Sequence, residues 1–356
     1  MALLARHAEC FFWCGRYIER TASLARILMV ETAFDRGRTE ASSWDWILTL
    51  YQAGEAFKER YPRGDRQEII QYYLTDSEHA GSIHSTLAAA HANARALRAV
   101  ISTDLWTHIN RTFNAVKTLE EKAIGEKRLA TTCERIQIDC YALLGIASST
   151  LYQDAGYRFF ELGIQAERAD QMSRLLDVRF AQLGGGNAAR DGDIGDYALW
   201  SMLLRSCGGH HAYRQLVAGP LRPELVARFL IFEQSFARSI AHCLRKVDGI
   251  LYELRDQCSV PMSVKVLERS HDLLTIVQMA QSDTGLVREL HDFNDGIQRR
   301  LIAFTEELAG HYFDLMIAQT PPTEVDPVPE PRDPAWAVTD AAAESPSDSG
   351  ALTAEA

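Results

Sequence analysis

The residues of this sequence best suited to chemistry are glutamates and arginines that recur on two predicted helices. The segment from Gly15 to Leu28 aligns with a second segment 148 positions later, and five of the fourteen aligned positions are identical. The identical pairs are Gly15 and Gly163, Glu19 and Glu167, Arg20 and Arg168, Arg26 and Arg174, and Leu28 and Leu176. An arginine fork binds carboxylates or phosphates at two points, and a glutamate can act as a base or hold an amine. The repeat therefore predicts either a set of ion pairs or an anion-binding site.

A helical wheel places the charged side chains of each copy on one stripe of an otherwise apolar helix. The first stripe consists of Arg16, Glu19, Arg20, Ser23 and Arg26, and the second of Glu167, Arg168, Gln171 and Arg174. If the two helices pair around a pseudo-twofold axis, Glu19 meets Arg168 and Glu167 meets Arg20. Two interpretations stay open. The stripes form a buried ion-pair network that fixes helix register, or they form a pocket for an anionic ligand.

A second polar stripe is predicted further along the chain. His84, His91, Arg95 and Arg98 follow a 7-4-3 spacing that puts them on one helix face, and Asn93 lies nearby in sequence. This stripe either joins the Glu-Arg helices around one polar cavity or forms a solvated face. The predicted polar cluster then comprises Arg16, Glu19, Arg20, Arg26, Glu167, Arg168, Arg174, His91, Asn93 and Arg95.

The patterns that indicate metals or nucleophiles are weaker than the repeat. Glu268 and His271 have the Glu-x-x-His spacing that di-iron bundles use twice, and we find it once. Cys10 and Cys14 lie one turn apart with His7 on the same helix, so a nucleophilic thiol is an alternative to two core cysteines. We find no Walker, GxGxxG, GxSxG or HExxH motif. The sequence predicts no metal site and no cofactor.

Sparse proline and helical periodicity predict an all-α fold. Only four of the eleven prolines lie in the first 320 residues, and an interior proline breaks a helix. Apolar residues recur at helical spacing through the body, whereas strand-like alternation does not persist. We predict a large helical bundle over residues 1–318, made of two pseudo-repeated halves of about 1–151 and 152–318. Residues 319–356 mix proline, alanine, serine and acids without apolar period, so we expect a disordered tail.

The same periodicity places the individual helices. Long helices are predicted near residues 3–35, 82–100, 103–123, 127–150, 152–183, 235–257, 262–281 and 285–317. Shorter helices are predicted near residues 43–59, 65–74, 196–207, 209–217 and 222–232. Ser82, Thr103 and Ser263 each precede a periodic run and are predicted helix starts. The glycines at 184–186 are expected to end the helix before them.

The amino-acid composition disfavours nucleic acid and membranes as binding partners of this protein. The formal net charge is −11, and residues 321–356 hold eight acids and one base, which leaves the body near −4. A nearly balanced body disfavours nucleic-acid binding, which needs a basic face. We find no uncharged apolar run of 18 residues and no convincing signal peptide, so we expect no membrane span. Seven cysteines without a tight metal spacing suit a reducing cytoplasm.

Several short motifs in the body carry a resemblance to a known family. They include Tyr17–Arg20, Asn93–Arg95, Glu167–Asp170, Arg174–Asp177, and Arg238 and Ser239 with Cys243. At these residues the chain resembles the bacterial alpha-E family, which is all-helical and named for its Glu-Arg motif. The resemblance spans about residues 1–317. The chain departs from the family where Ile164 and His91 replace arginines and Ala237 replaces a proline. Ile164 aligns with Arg16, so the two copies of the repeat are unequal.

The resemblance implies genomic association with circularly permuted ATP-grasp proteins, transglutaminase-like proteins and proteasome-like peptidases. It therefore suggests an accessory, non-enzymatic partner in peptide synthesis, modification or proteolysis. Two alternatives remain open. The protein is an enzyme or binding protein for an anionic peptide-like substrate held by the Glu-Arg cluster, or it is a purely structural scaffold.

Overall fold

In the computed structural model, the described residues are 4–35, 44–119, 124, 126–182, 194–283, 285–286 and 289–313. These residues form fourteen helices and no strand, which confirms the all-α prediction. The helices are α1 (Ala5–Asp35), α2 (Asp45–Leu50), α3 (Gly54–Arg60), α4 (Arg66–Leu74), α5 (Ile83–Ala96), α6 (Thr103–Lys117), α7 (Glu126–Thr150), α8 (Ala155–Gln182), α9 (Ile194–Ser206), α10 (His210–Leu216), α11 (Pro223–Phe232), α12 (Ile240–Asp256), α13 (Val264–Gln281) and α14 (Leu290–Tyr312). The predicted tail at 319–356 and the glycines at 184–186 lie outside the described residues.

Polar side chains cap several of the helix starts. Ser82 accepts a hydrogen bond from the backbone N–H of Ser85 at 3.0 Å, and Ser263 caps α13 in the same manner. The cap of α6 is Ser102 rather than the predicted Thr103. A capping hydroxyl satisfies a backbone donor that has no partner inside the helix, so these serines fix where α5, α6 and α13 begin.

The structure divides one predicted helix in two and begins another later than predicted. The segment predicted as one helix at 43–59 is split into α2 and α3, and Gln52 between them has a φ of 52°. Tertiary contacts hold this break, because the Tyr51 hydroxyl bonds Gln171 at 3.1 Å and its ring packs on Tyr73. The helix predicted from residue 235 begins at Ile240, because Ser239 caps it after a turn.

α1 is the central helix of the bundle. It packs against α5, α7 and α8, and most of its circumference is buried, as its apolar composition requires. α8 lies against it so closely that a Cβ added to Gly15 would overlap the Phe160 carbonyl oxygen. A Cβ added to Gly163 would overlap the Phe12 carbonyl oxygen. Glycine is therefore required at both positions by backbone contact.

The contacts between α1 and α8 are reciprocal under the 148-residue offset. Gly15 meets Phe160, and the equivalent residues Gly163 and Phe12 also meet. Further along both helices, Arg179 Nη2 donates to its own equivalent, Glu31, at 2.8 Å. The numbers of the contacting residues rise together on the two helices, so α1 and α8 run parallel. A local pseudo-twofold axis relates them. This relation covers α1 and α8, and the larger expectation of two pseudo-repeated halves is not confirmed.

Among the described residues, no helix is both long and apolar enough to cross a bilayer.

Candidate functional site: a buried Glu-Arg network beside an open pocket

The carboxylate of Glu167 is fully buried between α1 and α8. It accepts hydrogen bonds from Arg16 Nε at 2.8 Å, from Arg20 Nε at 2.6 Å and from Arg20 Nη2 at 2.9 Å. Gln171 Nε2 adds a fourth bond at 3.0 Å, and Gln171 is held in turn by Tyr51. Buried carboxylates are stabilised by such charge-assisted bonds, so Glu167 is saturated as an acceptor.

Glu19 occupies the equivalent position on α1 and is also fully buried. It accepts from Arg168 Nε at 3.0 Å and from Arg238 Nη1 at 2.5 Å. Both pairings expected from the helical wheel, Glu19 with Arg168 and Glu167 with Arg20, are therefore present. Arg238 lies on the turn before α12 and was not among the predicted cluster residues. Its only sequence signal was its place in the motifs shared with the alpha-E family.

The arginines keep both glutamates charged. Burial by itself raises a carboxyl pKa, but Arg20 and Arg16 outweigh it and lower the pKa of Glu167 to about 2. Burial is likewise outweighed at Glu19, whose pKa is lowered by Arg238, Arg168 and Arg26. A carboxylate that is saturated by guanidiniums is a weak base, so these glutamates are suited to fixing geometry rather than to proton transfer.

Arg26 differs from the other arginines of the stripe. Its side chain is 4 % exposed, yet no carboxylate lies within ion-pair distance of it among the described residues. Arg26 Nη1 donates to the Ser206 carbonyl at 3.2 Å and Nη2 to the Tyr141 hydroxyl at 3.0 Å, whereas the buried Nε has no partner. Burial lowers the pKa of Arg26, and the nearby Arg238 lowers it further. A buried guanidinium without a counter-ion is unfavourable unless an anion joins it.

Arg26 lies in the wall of a cavity of about 760 Å³ between α1, α7, α9 and α10. Tyr141 stands beside it, and the Tyr141 oxygen accepts from both Arg26 and Gln137, which leaves its own proton to donate. The lining residues are Arg26, Met29, Val30, Ala33, Phe34, Gln137, Tyr141, Tyr197, Ala198, Ser201, Met202, Arg205, Gly208, His210 and His211. The cavity therefore has the Arg26 guanidinium in a wall that is otherwise mostly apolar. We call it the Arg26 pocket.

Arg174, the equivalent of Arg26 on α8, has a different environment. Its Nε donates to both carboxylate oxygens of Asp170 at 3.0 Å, one turn earlier on the same helix. Arg174 is partly exposed and belongs to this local pair rather than to the Glu19 and Glu167 network. The symmetry of the repeat is thus lost at Arg26, which has no equivalent of Asp170 beside it.

The second predicted stripe does not reach the Glu-Arg network. α5 turns its apolar face, with Leu87 and Ala90, toward α1, and its polar stripe faces α6. His91 stacks against the rings of Trp106 and Phe113 and contacts Asn110 at 3.1 Å. Burial lowers the pKa of His91. Asn93 is partly exposed and Arg95 is exposed on the same helix. The structure therefore brings together Arg16, Glu19, Arg20, Arg26, Glu167 and Arg168, but not Arg174, His91, Asn93 or Arg95.

The alternative chemical groups occupy ordinary structural positions. Cys10 and Cys14 are buried, and burial raises the pKa of both thiols, that of Cys14 to about 12. His271 contacts the Tyr252 hydroxyl at 3.1 Å on the surface of α13. Within the described part of the chain, no group of three metal-binding side chains is close enough to hold an ion.

Comparison with known proteins places the chain in a family. Uncharacterized proteins of Mycobacterium bovis and Mycobacterium tuberculosis are 22% identical to it over 263 residues, which is 68% of this chain and 29% of theirs. The chain thus spans less than a third of the length of these relatives. No solved structure matches it. Residues 3–313 match the model of Alpha-E, a predicted alpha-helical domain with a conserved ER motif. The chain carries that Glu-Arg pair twice, at Glu19-Arg20 and Glu167-Arg168, and it belongs to the alpha-E family.

Proposed function

We propose that this protein is a non-enzymatic accessory module that binds an anionic, peptide-like ligand in the Arg26 pocket. The observation that carries the proposal is the buried guanidinium of Arg26, which bonds two neutral groups but no carboxylate of the described residues and lies in the wall of a cavity large enough for a small molecule. A carboxylate bound at Arg26 would supply the missing negative charge.

The charge balance around α1 supports an anion. Five guanidiniums, those of Arg16, Arg20, Arg168, Arg238 and Arg26, surround only two carboxylates, Glu19 and Glu167. Arg16 and Arg20 bond Glu167, while Arg168 and Arg238 bond Glu19. Arg26 is the one of the five that has no ion-pair partner among the described residues, and it lines the Arg26 pocket. Buried charges of one sign attract a counter-ion strongly, because the surrounding dielectric is low.

The neighbouring groups define the kind of anion. Arg26 and the Tyr141 hydroxyl can both donate to one carboxylate, and Arg205, His210 and His211 add positive charge or donors at the pocket wall. Met29, Val30, Ala33 and Met202 provide apolar contact. This combination fits the carboxyl end of a peptide with an apolar final side chain.

The test is calorimetric titration of the protein with N-acetylated dipeptides that end in leucine or phenylalanine. We expect binding of the free carboxylate form and at least ten-fold weaker binding of the matched C-terminal amide. A loss of one charge-assisted bond to a buried guanidinium accounts for a difference of that size. Equal affinity of acid and amide, or no binding of either, would contradict the proposal and favour a purely structural scaffold.

We further propose that the partner of this module is a circularly permuted ATP-grasp protein, with transglutaminase-like or proteasome-like peptidase proteins as other partners. The mycobacterial relatives support a partnership, because the matched region is 29% of a longer chain and so is joined to other protein sequence. We also propose a cytoplasmic location, and the free state of all seven cysteines supports it.

Co-purification tests the partnership. The tagged full chain and the ATP-grasp protein of the same organism are mixed at micromolar concentration, with and without ATP and a ligand dipeptide. A complex that elutes together supports the proposal. Separate elution under all conditions would contradict this partnership and leave the ligand proposal to be judged by calorimetry.

A further inference from the structure

We propose that a second, smaller cavity behind Arg26 binds a chloride-sized inorganic anion. The cavity lies between α1, α8, the end of α9 and the turn before α12, and its volume is about 20 Å³. Its polar lining consists of Ser23, Arg26, Arg168, Gln171, Ser206, Cys207 and Arg238. We call it the three-arginine cavity.

The charges around this cavity are not balanced by protein groups. Arg168 donates to Glu19 through its Nε, and Arg238 donates to Glu19 through its Nη1. Each of these arginines therefore has further guanidinium N–H groups that can donate to an anion. Arg26 adds a third cation, and its Nη1 donates to the carbonyl of Ser206, which also lines the cavity. Among the described residues Glu19 is the one carboxylate in ion-pair contact with any of the three arginines, and it bonds Arg168 and Arg238 but not Arg26. Two positive charges in excess of one carboxylate call for an anion close to them.

The size of the cavity selects the anion. A volume of about 20 Å³ admits one water-sized particle and is too small for a phosphate or a peptide carboxylate with its chain. Neutral donors complete the shell, since burial raises the pKa of the Cys207 thiol to about 12 and keeps its proton in place. A monovalent, monatomic anion meets both the size and the charge of the site.

Gly208 follows Cys207 and lies beside two of the three arginines. Its φ of +71° is a backbone conformation that glycine adopts readily, and a Cβ there would lie 3.7 Å from Arg26 Nε and 3.8 Å from Arg238 Nε, which are ordinary contact distances. An anion bound here would join α1, α8 and the turn before α12, and so would stabilise the position of Arg238 against Glu19.

The first experiment compares thermal unfolding of the full chain in sodium chloride and in sodium methanesulfonate at equal ionic strength, because methanesulfonate is too large for the cavity and is not a carboxylate. We expect a saturable rise in melting temperature of several degrees that chloride and bromide produce and methanesulfonate does not. In Arg238→Gln the rise is lost, whereas Arg245→Gln keeps it, since Arg245 is exposed on α12, bonds Gln234 and does not line the cavity. The readout is the dependence on chloride, so a lower melting temperature of Arg238→Gln does not obscure it. Identical melting curves in both salts would overturn the proposal.

The second experiment locates the ion by anomalous scattering from crystals grown or soaked in sodium bromide. A peak between Arg26, Arg168 and Arg238 is the expected result. The absence of a peak there, with water in its place or bromide only on the surface, would overturn the proposal. Both experiments are run without dipeptide, and the dipeptide titrations are run at low ionic strength in a buffer free of chloride and of other carboxylates. Failure of the small-anion site and failure of the Arg26 pocket are therefore observed separately.

Discussion

Glu19 accepts a hydrogen bond from Arg168 Nε at 3.0 Å, and the same contact recurs with the helices exchanged, between Glu167 and Arg20 at 2.6 Å. The exchange shows that one local axis relates the charged centres of α1 and α8. The charges can pair in this manner only when the two helices keep one register. Most of the repeated charged residues therefore serve to fix the register of α1 against α8.

The first prediction concerns the glycines where α1 and α8 touch. Gly15→Ala and Gly163→Ala each place a methyl group on a carbonyl oxygen of the facing helix. We expect each to lower the free energy of unfolding by about 1–3 kcal/mol, the usual range for overpacking. Chemical denaturation measures the change.

The control for these variants is Gly145→Ala on α7. Gly145 is exposed, and no atom lies within 4 Å of an added Cβ. Alanine favours a helix over glycine by up to about 1 kcal/mol, so this variant should be as stable as the native chain or more stable. Native stability of Gly15→Ala would show that the close contact of the helices is incorrect.

The second prediction concerns acid unfolding. The folded pKa of Glu167 is about 2, below its usual 4.5, so its ionisation stabilises the fold above about pH 4.5 and this stability is lost as the pH falls toward 2. The shift corresponds to roughly 3 kcal/mol. Glu167→Gln should be less stable at pH 7 and should lose less stability between pH 5 and pH 3 than the native chain.

The matched control for acid unfolding is Glu55→Gln, because Glu55 is exposed and pairs only with exposed Lys58. Its unfolding should follow the native pH dependence. If Glu167→Gln and the native chain lose equal stability between pH 5 and pH 3, the ionised Glu167 does not hold the network together.

The third prediction separates Arg20 from Arg174. Arg174→Gln removes a partly exposed pair within one helix and should change the free energy of unfolding by no more than about 0.5 kcal/mol. Arg20→Gln removes two bonds to a buried carboxylate and should lower it by about 2 kcal/mol or more. Equal effects of the two variants would place Arg174 in the network after all. Urea denaturation of both proteins makes the comparison.

The fourth prediction tests the thiols. Six cysteines are buried, and burial raises the pKa of each, so they should resist alkylation at pH 8 in the folded protein. Cys258 is only partly buried and should react first. Mass spectrometry of peptides after brief iodoacetamide treatment gives the order. Rapid labelling of Cys10 or Cys14 would revive the interpretation of a nucleophilic thiol near His7.

The sequence predicted the helices and the pairing of the two Glu-Arg stripes well, because both depend on the period of a single helix. It missed the break between α2 and α3, where contacts of Tyr51 with Gln171 and Tyr73 override the local pattern. It also placed His91 with the arginines, although rotation about α5 turns that side chain toward α6. Arg238 was missed as a cluster member, since it lies 219 residues from Glu19 in the chain. Such long-range contacts follow from packing, which no spacing rule encodes.

We propose that the repeated Glu-Arg stripe divides into an ion-pair network and one residue, Arg26, that binds the peptide-like ligand. Paired measurement of melting temperature and of dipeptide affinity in Arg26→Gln and Arg168→Gln tests it most directly. Burial disfavours the charge of Arg26, so Arg26→Gln should melt within a few degrees of the native chain and lose dipeptide binding at least ten-fold. Arg168→Gln should melt at a clearly lower temperature, because the buried carboxylate of Glu19 loses one of its two arginine partners. Unchanged dipeptide affinity in Arg26→Gln, together with a large fall in its melting temperature, would contradict the account.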